Sequence, residues 1–260
     1  MSTSEITKME EGDLKTQTKG ESGFCGSPEV VQIIQKVIAE VIGTYFLIFA
    51  GCCVVVLNKV EETKGTVTFP GICVTWGLSV MILVYSLGHI SGAHFNPAVT
   101  VPLYLAAQVL GSVLASGTLY LLFDVDEKSF FGTVPAGSNI QSLVFEMLTS
   151  FLLMFVVSAV STDNRAIGEL AGIAVGMTIV VDVFIAGPVS GASMNPARTF
   201  GPAVVMHIYK GFWVYIVGPF VGAILGASAY NLIRFTDKPL REISRSSSFL
   251  KSVSRAASFR

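Results

Sequence analysis

Long apolar runs separated by short polar stretches dominate the chain. Runs at 37–57, 69–88, 102–123, 142–161, 168–186 and 211–233 each hold about 20 residues, the length a helix needs to cross a bilayer. Inside lipid, backbone polar groups must be satisfied within the span, which a helix does by itself. The pattern therefore predicts an all-α membrane protein with six transmembrane helices. Six crossings put both ends on one side. The C-terminal tail carries Arg234, Lys238, Arg241, Arg245, Lys251, Arg255 and Arg260 against Asp237 and Glu242, and this basic excess assigns it to the cytoplasm. The expected plan is an N-terminal tail over 1–36, a transmembrane domain over 37–234 and a C-terminal tail over 235–260, both tails cytoplasmic.

Composition agrees with lipid as the solvent: 52% of residues are hydrophobic and 13% charged, against about 25% charged in an average soluble domain. The net charge of -1, with no basic stripe bearing interleaved aromatics, excludes nucleic acid as a partner. Residues Met1 to Glu21 are polar and mixed in charge, so no cleavable secretory signal is visible and the first span must direct insertion. Cys25, Cys52, Cys53 and Cys73 lack metal-ligand or redox spacing, and three of the four sit in apolar runs as small packing residues. No nucleophile–base pair, metal-ligand cluster or phosphate loop appears, so no enzyme, metal site or cofactor is expected.

The chain repeats itself. Glu40-Val41-Ile42-Gly43-Thr44 in the first span is echoed by Glu146-Met147-Leu148-Thr149-Ser150 in the fourth, and the octet from Ser91 to Ala98 is matched by that from Ser190 to Ala197. The repeats cover about 37–123 and 142–233. Three spans per half give the halves opposite orientations, and an inverted repeat places the working site near the midplane, where discontinuous helices meet. Each octet ends in Asn-Pro-Ala: Asn96, Pro97, Ala98 and Asn195, Pro196, Ala197. Pro suits a first helical turn and Asn suits the N-cap before it. Each motif thus starts a half-helix, the second running to about His207, too short to cross. Non-helical backbone at membrane depth must line a cavity, so Ser190 to Met194 should offer carbonyls to a passage, with both Asn amides donating into it.

These motifs resemble those of the major intrinsic proteins (aquaporins), and most of all the plant nodulin-26-like subfamily. The likeness spans about Val37 to Arg255 and rests on His89 to Val99, Gly187 to Arg198 and the tail Thr236 to Ile243. The resemblance implies an aquaporin-like channel passing water and small uncharged solutes such as glycerol, in a plasma or intracellular plant membrane. It implies a selectivity filter of Trp76, Val183, Ala192 and Arg198, wider than in strict water channels, which usually have a His at the Val183 position. For Glu40 and Glu146, the matched places point to structure rather than a proton relay, and the resemblance implies that they support the re-entrant loops. It also implies a homotetramer, or a hetero-oligomer with related channels.

Other features carry less. Asp182 is a loose candidate for an ion-coupled transporter, which would want paired acids near the midplane. His89, His94 and His207 read as hydrogen-bonded loop histidines. In Ile243 to Phe249, a basic residue three positions before Ser248 makes that serine the first choice for a kinase. The halves differ after the motif, since Tyr215 follows Asn195 by 20 positions and Tyr104 follows Asn96 by 8. About a dozen residues are missing after Thr100, leaving the first half-helix hardly one turn. Either the third span lends its first turn at the cost of span length, or the pore is deformed and closed. The second outcome would make the chain a non-conducting regulatory subunit.

Overall fold

The computed structural model describes residues 27–100, 102–163, 165–166 and 168–234. Cys25, Ser248 and the tail from 235 lie outside them. Seven α-helices occur among the described residues: α1 (Pro28–Leu57), α2 (Thr68–Ser91), α3 (Leu105–Leu122), α4 (Asn139–Thr162), α5 (Ala171–Ser190), α6 (Pro196–Met206) and α7 (Val214–Ile233). Single 3-10 turns, Pro102–Tyr104 and Gly168–Leu170, lead into α3 and α5. All but α6 are long and apolar enough to cross a membrane.

Residues 1–36 are described from Ser27 onward. Ser27 starts α1, its Oγ accepting from the Val30 amide at 3.3 Å. The helix begins nine residues before the apolar run because Glu29, Gln32 and Lys36 recur at helical spacing, a polar face that a hydropathy reading takes for tail.

From Val37 onward, the usual distribution of polarity is reversed. Ile82, Leu121, Leu148 and Ile224 are exposed, while Glu40, Gln108, Ser112 and Glu146 are completely buried. Lipid is the solvent for the first group, and the second must find partners inside. Lipid tails give helices no reason to segregate their apolar faces from it, so close packing holds them together. α2 packs on α5, α4 on both α5 and α7, and α3 on α6. At Gly222 of α7, a Cβ would strike the Met147 carbonyl oxygen and come within 2.9 Å of the Ser150 Cβ on α4. Gly222→Leu should therefore force this pair apart at about 1–3 kcal/mol, the usual range for overpacking. The thermal midpoint of the detergent-solubilised protein is expected to fall by several degrees, and an unchanged midpoint would contradict the packing.

The third span keeps its length. It runs Pro102–Leu122, 21 residues, about 31 Å at 1.5 Å per residue, against a hydrocarbon core of about 30 Å. Its opening turn nevertheless lies against the first motif, with the buried Tyr104 ring 5.5 Å from that of His94. The turn is shared without the loss of length that the sequence suggests.

Candidate functional site

Two re-entrant segments, Gly92 to Asn96 and Gly191 to Asn195, leave the ends of α2 and α5 in the same way. Both open on a left-handed glycine, Gly92 at φ 94° and Gly191 at φ 83°, where a Cβ would be strained. Left-handed residues then recur at matched places: Ala93 and Phe95 in one segment, Ala192 and Met194 in the other. Such backbone persists only when the surroundings over-determine it, and two carboxylates do so. Glu40 Oε1 accepts from Ser91 Oγ at 2.7 Å and the His94 amide at 3.0 Å, and Oε2 accepts from the Phe95 amide and Gln108 Nε2, both at 2.8 Å. Glu146 Oε1 accepts from Ser190 Oγ at 2.6 Å and the Ser193 amide at 2.8 Å, and Oε2 from the Met194 amide at 2.7 Å. Burial would penalise either charge heavily without these donors.

The two asparagines meet across the repeat. Asn96 Nδ2 donates to the Met194 carbonyl at 2.7 Å, and Asn195 Nδ2 donates to the Phe95 carbonyl at 2.8 Å. Each amide engages one of its two protons there and keeps a second. Asn195 also caps α6, its Oδ1 accepting from the amides of Ala197 at 2.9 Å and Arg198 at 3.3 Å, with Pro196 at the first helical position. That helix ends at Met206, with His207 in a left-handed conformation after it. On the other side, Asn96 Oδ1 accepts from Ala98 N at 2.9 Å, and the chain makes one turn over Pro97–Val99 instead of a helix.

Trp76, Val183, Ala192 and Arg198 converge. All four are buried and line the same cavity of about 460 Å3 as Asn96 and Asn195. The Arg198 guanidinium carbon lies 4.9 Å from the centre of the Trp76 ring, within cation–π range. Its Nη2 donates to the Gly191 carbonyl at 3.3 Å, while Nη1 has no partner among the described residues. The cavity thus has a planar apolar wall, two small apolar side chains and one cationic donor with protons to spare. Its lining also includes the aliphatic Val80, Val84, Val175 and Ile179, with Ser161 and Thr162 at the end of α4. That end is tied down by Asp163, whose carboxylate accepts from Arg165 Nη2 at 2.7 Å and the Tyr230 hydroxyl at 2.9 Å. These donors, Arg165 first, hold the Asp163 carboxyl well below the usual carboxylate range.

Asp182 is fully buried on α5 but does not line the cavity. His94 Nδ1 lies 3.0 Å from Thr100 Oγ1, whereas His89 and His207 are exposed. Cys52 and Cys73 are buried and free, as packing residues would be. Sequence reading missed three residues. Gln108 holds Glu40, Ser112 Oγ donates to the Ala197 carbonyl, and the Tyr215 hydroxyl donates to the Ser190 carbonyl at 2.7 Å. Their signal was present, since a polar side chain in a membrane span has to be paired.

The profile of the family described as "Major intrinsic protein" matches residues 28–230. The chain is 62% identical to the "Probable aquaporin NIP-type" of Nicotiana alata over 263 aligned positions, covering 95% of this chain and 96% of that one. It is 56% identical to "Nodulin-26" of Glycine max, with 88% of each covered. An alignment longer than the chain itself means that the tobacco relative carries positions which this chain lacks. Among solved structures, the aquaglyceroporin from Plasmodium falciparum superposes with a TM-score of 0.68 at 23% identity, covering 77% of this chain and 96% of that one. At that identity, the likeness speaks for the fold alone.

Proposed function

This chain belongs to the major intrinsic protein family, and from that premise we propose which residues select what crosses. It is a multi-pass integral membrane protein and a channel for water and small uncharged solutes. One observation carries the assignment of residues: the two asparagines and the four filter candidates line a single cavity. In this reading Asn96 and Asn195 offer their second amide protons to a passing oxygen. Pro97, Ala98, Pro196 and Ala197 set the turns that aim them. Arg198 Nη1 donates to the solute at the filter, Trp76 forms the apolar wall, and Val183 and Ala192 leave room for a carbon skeleton the size of glycerol. Glu40 and Glu146 support the loops. Relatives of this kind do not favour the non-conducting subunit as an alternative.

Both tails, 1–36 and 235–260, are cytoplasmic on the charge of the C-terminal one; the chain assembles as a homotetramer or with related channels; a kinase acts at Ser248. The direct test is stopped-flow light scattering of proteoliposomes holding the purified chain, under a sucrose gradient for water and a glycerol gradient for the solute. Rates for both above protein-free vesicles are expected. Val183→His should narrow the filter. Glycerol flux is expected to drop about tenfold with water flux retained, an effect on the order of 1.4 kcal/mol in the barrier. Equal glycerol rates in the two proteins would remove Val183 from the filter.

A further inference from the structure

The half of the site that bears Arg198 has a brace with no counterpart among the described residues of the other half. Thr133 lies in the loop between α3 and α4, more than sixty residues from the second motif in sequence, yet its hydroxyl is 2.6 Å from that of Thr199 on α6. Thr199 Oγ1 is in turn 2.7 Å from Ser193 Oγ, and Ser193 Oγ donates to the Asn195 carbonyl at 2.9 Å. All three hydroxyls are buried. A hydroxyl has one proton to give, and the carbonyl at the end can only accept. Ser193 spends its proton there, so Thr199 must donate to Ser193 and Thr133 to Thr199. The chain of bonds has one direction, and its single source is the loop residue.

The same loop supports the backbone on which Arg198 rests. Thr133 Cγ2 fills the space beside Gly191, where a Cβ would come within 2.9 Å of it, and the Ala136 amide donates to the Val189 carbonyl at 3.0 Å. Gly191 is the residue whose carbonyl accepts from Arg198 Nη2. In the first half, His94 and Thr100 occupy the places of Ser193 and Thr199 and make the matching contact at 3.0 Å. Their third neighbour is the Tyr104 ring, not a loop hydroxyl.

We infer that Thr133 is a positioning residue for the selectivity filter: its hydroxyl sets Thr199, the neighbour of Arg198 on α6, and the Asn195 carbonyl through this one-way chain, and its methyl group backs Gly191, whose carbonyl holds the Arg198 guanidinium. The inference rests on Arg198 being the filter arginine. Thr133→Val keeps the shape and removes the source proton, leaving the buried Thr199 oxygen without its donor. Thr133→Ser keeps the proton.

The test measures water and glycerol permeability of proteoliposomes bearing the full chain with Thr133→Val, Thr133→Ser or Arg198→Val. The Val variant is expected to change the glycerol-to-water ratio at least threefold, and the Ser variant to keep it. A structural role alone would lower both permeabilities together at constant ratio, and that outcome overturns the inference. So does an equal shift in the Ser variant. If Thr133→Val does not fold, Thr133→Ala carries the same expectation. Arg198→Val separates the two readings: should it shift the ratio while loss of the Thr133 hydroxyl does not, the positioning role fails and the filter stands. Should Arg198→Val leave the ratio unmoved, it is the filter that fails.

Discussion

Replacing Arg198 by valine is expected to admit monovalent cations, raising proton flux through proteoliposomes by up to about a thousandfold above that of the intact chain. Two features oppose a cation in this cavity, the Arg198 charge and the N-terminus of α6. They are unequal. A helix end is worth about half an elementary charge, and the guanidinium a whole one. Unit charges 4 Å apart at an effective dielectric of 20 interact by about 4 kcal/mol, close to three factors of ten. The second half-helix that would add to the exclusion is here a single turn after Asn96, too short to sum peptide dipoles. This chain thus leans on its arginine more than one with two complete half-helices would. A pH-sensitive dye inside the vesicles, with valinomycin present to clamp the potential, reads the flux. Equal proton flux in the two proteins, with water flux intact, would move the barrier away from Arg198.

Glu146→Gln is expected to lower the thermal midpoint of the purified protein by roughly 10 °C. The carboxylate serves three donors on the second re-entrant segment. An amide in its place has only one oxygen, so at least one donor faces another donor. A buried donor left unsatisfied costs about 1–3 kcal/mol, and the bonds that remain lose the strengthening which an ionised acceptor gives. The sum is on the order of 3–5 kcal/mol, at about 2–4 °C each for a domain of this size. The segment depends on this support because it holds left-handed residues at Ala192 and Met194. Retention of the midpoint in Glu146→Gln would mean that the segment keeps its shape by other contacts.

What the sequence made legible depended on scale. Run length marks six spans, since a bilayer imposes one length on all of them. The paired Asn-Pro-Ala octets locate the site because each local rule, a cap followed by proline, is written in three adjacent residues. Span ends were less legible. The helical turns from Pro28 to Lys36 precede the apolar run, and α5 continues through Pro188 to Ser190. Contacts such as Tyr215 to Ser190 or Thr133 to Thr199 leave no periodic trace. A buried hydroxyl announces that it needs a partner, but not which element will supply it.

The reciprocal amide bonds of Asn96 and Asn195 bear on how the molecule is made. A ribosome that has finished only the first repeat has inserted an asparagine and the Phe95 carbonyl whose partners are not yet synthesised. At that depth, water or the translocation machinery has to shelter them until Met194 and Asn195 arrive. Assembly of the midplane is therefore a late event in biogenesis, and a polypeptide halted before the second motif has no stitched seam to hold its first loop in place.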